Sequence, residues 1–446
     1  MVAGIQGGQL APQELLQAQL NQIDRLNPSL NFLVHPASGQ PFSRSVDLSR
    51  VSLPGIPFTV KDSFDVRGEA TQCGSLFRST HRAARNSTAV RRLLNSGAVY
   101  LGKTNCPELL VSWETDNHVT GRTNNPWNPE LTSGGSSGGE AAAIAAFCSP
   151  GGIGSDGGGS IRWPAHCTGI CGLKPTPGRV SAAGHFPEIG HPGGLLGVAG
   201  PMARSVEDVS ILFSVLAGYD VEDPFSLPFS APKVSTEGLK IALLDKWPLQ
   251  PACRDALSAA TRLLQGAGFP IEPFPEFAFE RAHECWFFFF VRLTAPFTRE
   301  LMSKREHQAH WTGLELFNLV RELPEPSGRD VLEQFAIRDK MRSAFLRELQ
   351  RTPVILAPVA SVTAFPHRTR LFHIEGAEVG YLDAMRPLTI ANIFGLPALT
   401  IPMVVKEGVP AGVQLIAGPY REELLLVLGR KLEELRGPLL KPPIQS

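Results

Sequence analysis

Apolar residues along the chain follow two spacings, one typical of helices and one typical of buried strands. Leu16, Leu20 and Ile23 stand three or four positions apart, and they predict an amphipathic helix over residues 11–27. Residues 58–60 form a short β-prone run after a Pro/Gly turn, and this run predicts a buried strand. The two patterns indicate that helices and strands share one core.

The following stretch repeats this alternation. Ser87 is a suitable N-cap for a helix with the sequence TAVRRLLNS, Gly97 ends that helix, and residues 98–101 have the composition of a buried strand. A strand–helix–strand order is typical of α/β folds. The same reasoning predicts further helices at 206–217, 254–266 and 422–435 and further strands at 239–244, 354–356 and 413–417.

Charge and composition disfavour several classes of protein. The 446 residues carry 42 Lys and Arg against 42 Asp and Glu, so no positive excess is available to bind nucleic acid. Seven cysteines imply no disulfide framework, and the pair Cys167 and Cys171 lacks the second pair of a typical zinc site, so no metal is expected. The sequence contains neither a membrane-spanning apolar stretch nor a secretion-signal pattern. We therefore expect a cytoplasmic protein, either a monomer or a homodimer.

A glycine-dense segment that runs from SGGSSGG to DGGGS offers the strongest chemical signal. One interpretation is phosphate binding, since residues 152–157 fit G-x-G-x-x-G, but an Ala-rich run precedes them where a strand is required. The other is an oxyanion site. Gly157, Gly158 and Gly159 stand directly before the hydroxyl of Ser160, and their N–H groups can converge on a substrate carbonyl because no Cβ blocks it. The second interpretation fits the sequence better.

A serine nucleophile needs a base near neutral pH. His166, His185 and His191 lie downstream of Ser160, but no nucleophile elbow of the G-x-S-x-G type is present. Lys61 is the other option, because burial can lower the pKa of an amine until it is neutral. It is the only lysine in the first 102 residues. Spacing alone leaves both kinds of base open.

Several motifs resemble those of the amidase signature family of serine hydrolases. SGGSSGGEAAA…DGGGSIRWPAHCTGICGLKPT is similar to the signature block, and GIPFTVKDSFDV, GKTNCPEL, NNPWNP and NIFGLPALTIPM are similar to outlying family segments. The resemblance implies one α/β domain over residues 1–446, with a mixed, twisted central β-sheet covered by helices on both faces. It implies a catalytic core at about 50–215 and 350–435, and we expect a helical substrate-pocket insert at about 276–350.

The resemblance also assigns catalytic roles. Ser160 matches the family nucleophile, Ser136 matches the bridging serine that follows a cis peptide bond, and Lys61 matches the base. The backbone N–H groups of residues 157–160 would hold the oxyanion. The implied reaction forms an acyl-enzyme on Ser160 and uses no cofactor and no metal.

Three further residues are expected to support this machinery. Asp156 and Arg162 correspond to a structural ion pair of the family, and Ser137 is expected to hold Lys61 or its loop. Gly157 stands where many relatives carry a β-branched residue, which predicts a more mobile oxyanion loop. These roles are implied by the resemblance.

An apolar substrate pocket is expected beside the nucleophile. Leu110 and Val111 correspond to a pocket-lining stretch of the family. Trp163 stands where glutamine-using relatives often carry a polar residue, and we also place Phe287 in the pocket. Phe287 belongs to the aromatic run 285–291, which is either a core helix or an aromatic wall of the pocket. The sequence leaves these two interpretations open.

The sequence thus predicts an amidase that cleaves a linear carboxamide, an anilide or a carbamate bearing an apolar or aromatic group. One alternative is a glutamine-hydrolysing subunit of a tRNA-dependent amidotransferase, which needs a partner protein and a polar pocket. Trp163 and the aromatic run disfavour it. A non-catalytic binding module is a second alternative, which the presence of Lys61, Ser136 and Ser160 disfavours.

Overall fold

A computed structural model of the protein describes residues 1–37, 51–188 and 196–443. The strands in these residues are β1 (Leu33–Pro36), β2 (Pro57–Lys61), β3 (Val99–Thr104), β4 (Gly151–Asp156), β5 (Cys171–Lys174), β6 (Val198–Ala203), β7 (Ile241–Leu243), β8 (Ile271–Pro273), β9 (Val354–Pro358), β10 (Leu371–Ile374), β11 (Ala377–Gly380), β12 (Ala398–Lys406) and β13 (Val409–Ala417).

Helices connect and cover these strands. They are α1 (Val2–Gln6), α2 (Pro12–Leu30), α3 (Thr88–Asn95), α4 (Gly138–Ala145), α5 (Arg162–Thr168), α6 (Val206–Leu216), α7 (Pro251–Gly266), α8 (Phe279–Phe287), α9 (Ala295–Met302), α10 (Trp311–Asn318), α11 (Gly328–Arg351), α12 (Tyr381–Ala384), α13 (Arg386–Ile393) and α14 (Glu422–Arg436). A π-helical turn, Phe288–Arg292, directly follows α8.

The central sheet contains eleven strands in the order β1-β3-β2-β4-β6-β5-β12-β13-β9-β7-β8. Strand β2 is parallel to β3 and β4, and β7 is parallel to β8 and β9, whereas the other neighbours are antiparallel. The sheet is therefore mixed, as predicted. Strands β10 and β11 form a separate two-stranded ribbon.

Strand β13 shows how the sheet buries both of its faces. Val413, Leu415 and Ala417 belong to a hydrophobic cluster that includes residues of α7 and α14. Gln414 and Ile416 point to the opposite face, because successive side chains of a strand alternate. Ile416 packs there in a second cluster with residues of α8 and α13. Helices thus cover both faces of the sheet, which confirms the predicted α/β architecture.

Most elements predicted from periodicity are present. The structure confirms the predicted helices as α2, α3, α6, α7 and α14, and the predicted strands as β2, β3, β7, β9 and β13. The glycine-rich strand β4 was not predicted, because glycine is depleted in strands. At Gly152 a Cβ would collide with the backbone oxygen of Thr59 and the carboxyl of Glu140, so close packing requires glycine there.

The segment from α8 to α11 contains only helices and connecting turns. Helix α8 packs against α13, which joins this segment to the central core. The segment covers the residues at about 276–350 where an insert is expected, and its status as a substrate-pocket insert stays a prediction. None of the helices in the described ranges has the length and apolar character to cross a membrane.

Candidate active site

Strand β2 places Lys61 in the interior of the protein. The whole strand is buried, with β3 on one side and β4 on the other, and the Lys61 side chain is fully buried. Lys61 Nζ lies 2.6 Å from Ser136 Oγ and 2.9 Å from Ser155 Oγ. Two hydroxyls therefore contact an amine that has no access to bulk water.

The environment of Lys61 favours the neutral amine. Burial lowers the pKa of Lys61 from 10.5 to about 8, and the nearby carboxyls of Asp156 and Glu140 oppose this shift only partly. An amine with this pKa is neutral in a useful fraction of molecules near pH 7. Lys61 can therefore accept a proton from the adjacent Ser136 hydroxyl.

The loop before α4 presents Ser136. The Gly135–Ser136 peptide bond is cis, as the resemblance implies, and a Cβ on Gly135 would lie 2.7 Å from the backbone oxygen of Ser112. The backbone N–H of Ser137 donates to the carbonyl of Ser160 at 3.2 Å. This bond joins the Ser136 loop to the residue predicted as nucleophile.

Ser137 supports Lys61 through an intermediate residue. Its Oγ donates to the carbonyl of Ser155 at 3.3 Å and accepts from the Ser155 N–H at the same distance. Ser155 in turn contacts Lys61 through its hydroxyl. Sequence reasoning did not find Ser155, because the glycine-rich strand β4 that carries it was not predicted; its position directly before Asp156 was the available signal.

Asp156 organises the turn that carries Ser160. Its carboxylate accepts hydrogen bonds from the N–H groups of Gly159 at 2.8 Å and Ile161 at 3.1 Å. The guanidinium of Arg162 donates to both carboxylate oxygens at 3.0 Å, and both side chains are fully buried. The predicted pair is thus a bidentate ion pair in the core, and it holds the two ends of the turn together.

Two amides complete this buried network. Asn392 donates to Asp156 Oδ1 at 2.9 Å and accepts from Arg162 at 2.6 Å, while Gln414 Oε1 accepts from Arg162 at 2.8 Å. Burial by itself would raise the pKa of Asp156, but Arg162 holds that pKa well below its usual value. Asp156 is therefore ionised throughout the ordinary pH range.

The oxyanion set predicted from the sequence needs one correction. The N–H of Gly159 donates to Asp156, so it is not available to a substrate. Among the described residues, no protein acceptor takes the N–H of Gly157, Gly158 or Ser160. These three N–H groups remain as candidate oxyanion donors.

Ser136 and Ser160 line one cavity of about 410 Å³. Leu110 and Val111 also line it, and Leu109 and Leu110 adopt positive φ angles of 53° and 67° that non-glycine residues rarely adopt. Strained backbone of this kind concentrates at functional sites. The turn from Leu109 to Val111 thus forms one wall beside the two serines.

Two predicted pocket residues lie elsewhere. Trp163 is fully buried outside the cavity lining, and its indole donates to the carbonyl of Trp113 at 2.8 Å. Phe287 packs between two hydrophobic clusters and does not line the cavity either. Phe290, three residues further on, lines it instead. The aromatic run therefore serves both functions, with Trp286 in the core and Phe290 on the wall.

The histidines considered as bases occupy different positions. His166 is buried and its Nδ1 accepts from the N–H of Gly412 at 3.0 Å, so this ring supports β13. His185 lines the cavity, and burial lowers its pKa to about 3. His191 lies outside the described residues. Of the candidate bases in the described chain, Lys61 has a direct contact with an active-site hydroxyl.

The fold and this site define a class of enzyme. A mixed sheet carries a buried lysine beside a serine on a cis peptide bond, and a glycine turn presents a second serine in the same cavity. The sequence profile of the family described as Amidase matches residues 14–426. The chain belongs to the amidase signature family, and it is a hydrolase that acts on carbon–nitrogen bonds in amides.

Individual relatives span nearly the whole chain. Indoleacetamide hydrolase of Bradyrhizobium diazoefficiens is 30% identical over 457 residues, covering 98% of this chain and 86% of the relative. A glutamyl-tRNA(Gln) amidotransferase subunit of Chloroflexus aurantiacus is 31% identical over 477 residues, covering 97% and 95%. The solved structure of 6-aminohexanoate cyclic dimer hydrolase with its substrate is similar with a TM-score of 0.86 at 25% identity, covering 99% and 98%.

Proposed function

We propose that this chain is a stand-alone amidase that hydrolyses a small carboxamide bearing an apolar or aromatic group. The observation that carries the proposal is the 2.6 Å separation of Lys61 Nζ from Ser136 Oγ, where Ser136 and Ser160 line one cavity. A buried amine of lowered pKa beside a hydroxyl is the arrangement that a proton relay needs.

In the acylation step, Ser160 Oγ attacks the substrate carbonyl carbon. The Ser160 proton passes to Ser136, whose own proton passes to Lys61 Nζ. The N–H groups of Gly157, Gly158 and Ser160 stabilise the oxyanion. When the C–N bond breaks, Lys61 returns a proton through Ser136 to the departing nitrogen, so that a neutral amine or ammonia leaves and an ester remains on Ser160.

Deacylation uses the same relay with water as the nucleophile. Water attacks the ester carbonyl and passes a proton through Ser136 to Lys61. The second tetrahedral intermediate then releases the carboxylic acid, and Ser160 recovers its proton from the relay. Protonation of the leaving group suits this site to amides, because an amide anion is a poor leaving group.

The cavity supports an uncharged, apolar substrate group. Its volume lies within the range of small-molecule sites. Leu110, Val111 and Phe290 contribute apolar walls. Indoleacetamide, after which the Bradyrhizobium relative is named, carries an aromatic group that such walls would hold. Anilides and aryl carbamates belong to the same proposal, since the attack and the amine departure are the same.

The similarity to the amidotransferase relative favours a second candidate, glutamine hydrolysis with a partner protein. Free glutamine carries an α-carboxylate that would need a cationic side chain in the pocket. None of the cavity-lining residues in the described part of the chain is Lys or Arg. The stand-alone amidase is therefore the better-supported function.

A turnover panel on the purified chain tests the proposal. The panel compares indole-3-acetamide, short and long acyl p-nitroanilides, an aryl carbamate and glutamine, with intact-mass detection of the acyl-enzyme. Ser160→Ala should lower kcat by at least ~10⁴-fold and abolish the acyl-enzyme. Ser96→Ala is a matched control, because Ser96 is a buried serine that bonds to Leu93 O in α3.

Two outcomes would contradict the proposal. Turnover that persists in Ser160→Ala would show that another residue is the nucleophile. Glutamine hydrolysis that appears only with an added partner, together with silence on every aryl amide, would favour the amidotransferase function.

A further inference from the structure

Two buried indole groups hold the glycine turn before Ser160. Trp286 Nε1 donates to the carbonyl of Gly157 at 2.9 Å, and Trp113 Nε1 donates to the carbonyl of Gly158 at 2.7 Å. Trp286 comes from a part of the chain 129 residues away. The two tryptophans thus reach the oxyanion turn from outside the glycine-dense segment.

The aromatic rings are stacked against one another beside this turn. The Trp286 ring stacks on Trp113 with a centroid distance of 5.8 Å and on Phe290 with a centroid distance of 5.0 Å. A Cβ on Gly158 would lie 2.5 Å from the Trp286 ring, and a Cβ on Gly157 would lie 2.9 Å from the Phe290 ring. The glycines therefore leave the space that the aromatic stack occupies.

A local irregularity accompanies this arrangement. The chain changes from α-helix to a π-helical turn at Phe288, and Leu293 N–H donates to Phe288 O across that turn. Turns of π-helix are rare and occur frequently at functional sites. This turn contains Phe290, so the irregular backbone belongs to the segment that supplies two rings of the stack.

The hydrogen bonds constrain the N–H groups as well as the carbonyls. A peptide unit is planar, and in the trans form its N–H points away from its C=O. The two peptides are trans, since the cis bonds of the described chain lie elsewhere. The bond from Trp286 to Gly157 O therefore sets the direction of the Gly158 N–H. The bond from Trp113 to Gly158 O sets the direction of the Gly159 N–H, which donates to Asp156.

We propose that Trp286 and Trp113 are positioning residues for a glycine turn that has no side chains of its own to hold it. Trp286 fixes the candidate oxyanion N–H of Gly158, and Trp113 holds the next peptide, whose N–H donates to Asp156, so that Gly158 is fixed from both sides. The inference rests on the proposed function, in which this turn stabilises the oxyanion. It also leads us to expect a held turn instead of the more mobile loop predicted at Gly157, because the indole bonds and the Phe290 ring occupy the place of the missing side chain.

The test replaces the indole donor and keeps an aromatic ring. Trp286→Phe should lower kcat ~10–100-fold and leave KM within about threefold, since a preorganised oxyanion donor contributes ~10²–10³ to kcat. The inhibition constant of phenylboronic acid, which forms a tetrahedral anion on a serine, should rise by a similar factor. Trp113→Phe should show the same pattern and serves as the second variant if Trp286→Phe does not fold.

Trp127→Phe provides a matched control. Trp127 is also buried, and its indole donates to the backbone carbonyl of Thr168 at 2.8 Å, at the end of α5. It should change the melting temperature by an amount similar to that of Trp286→Phe, while its kcat and its affinity for the boronic acid stay at the wild-type values.

The outcomes separate this inference from the function on which it rests. Loss of turnover in Ser160→Ala, with normal kcat and normal boronic-acid affinity in Trp286→Phe and Trp113→Phe, would overturn the positioning role alone. Turnover that survives in Ser160→Ala would overturn the proposed function itself. A kcat loss in Trp127→Phe equal to that in Trp286→Phe would also overturn the positioning role, because it would reflect general destabilisation.

Discussion

The pH dependence of turnover tests the role of Lys61 directly. Its pKa of about 8 leaves the amine neutral in about a tenth of the molecules near pH 7. At an unshifted pKa of 10.5 that fraction would be only ~0.03%. If the neutral amine is the base, kcat/KM should rise about tenfold from pH 7 to pH 9 and then level off.

The same pKa shift predicts the stability of the Lys61→Met variant. The folded state binds fewer protons than the unfolded state between about pH 8 and 10.5, so the contribution of Lys61 to stability rises with pH across that window. Below it, the buried ammonium costs about 3 kcal/mol. Loss of the bonds to Ser136 and Ser155 costs about 1–1.5 kcal/mol each. The two effects nearly cancel, so the free energy of unfolding near pH 7 should change little.

The assay measures kcat and KM for an uncharged amide from pH 6 to pH 10, with unfolding monitored in urea. Lys61→Met should lower kcat by ~10³-fold or more and remove the alkaline rise. Lys174→Met is the control, because Lys174 is also fully buried and burial lowers its pKa to about 7. Its Nζ donates to Pro175 O at 2.9 Å, so this variant should keep the rise.

Three results would refute this reasoning. A flat profile from pH 6 to pH 9 would mean that no base titrates there. A midpoint near 10.5 would mean that burial does not perturb the amine. A rise that persists in Lys61→Met and disappears in Lys174→Met would show that the base is Lys174 and not Lys61.

Further predictions concern the ion pair and the pocket. Asp156→Asn should lower the free energy of unfolding by about 3–5 kcal/mol, since it leaves the Arg162 guanidinium buried without its partner; urea unfolding measures the loss. The pKa of Asp156 is depressed, so its stabilising effect should disappear as the pH falls below about 4, and equal acid sensitivity of variant and wild type would contradict this. Phe290 lines the cavity, so Phe290→Ala should change the ratio of kcat/KM for long and short acyl anilides ~10-fold. Phe287, three residues earlier, does not line it, so Phe287→Ala should leave that ratio unchanged.

The sequence predicted local structure well wherever periodicity was strong. The amphipathic pattern gave α2, α7 and α14, and the Ser87 side chain accepts from the Val90 N–H at the start of α3 as a capping residue should. Local patterns suffice in such elements because side-chain spacing and cap chemistry act within a few residues. The glycine-rich strand β4 escaped prediction, since its composition reflects the space left by neighbouring strands and helices.

The candidate site was only partly predictable. Motifs pointed to Lys61 and Ser136, and the structure places them in contact, while their catalytic roles stay predictions for the experiments above. Asn392 opens the segment NIFGLPALTIPM, which carried the resemblance, and Gln414 lies in the predicted strand 413–417. A polar residue within an otherwise buried segment was the available signal for both. Neither Trp163 nor Phe287 lines the cavity, and the Trp163 ring is buried against His166 and Phe365 instead.

The sequence by itself determined the family, most secondary-structure elements and the residue types that the chemistry needs. These properties depend on near neighbours along the chain and on sequence motifs, which can be recognised without knowledge of the tertiary structure. Only the tertiary structure decided which side chains meet. The bond from Arg162 to Gln414 spans 252 residues and that from Trp286 to Gly157 spans 129. Such contacts depend on the rotation and register of whole helices and strands, which no local pattern specifies.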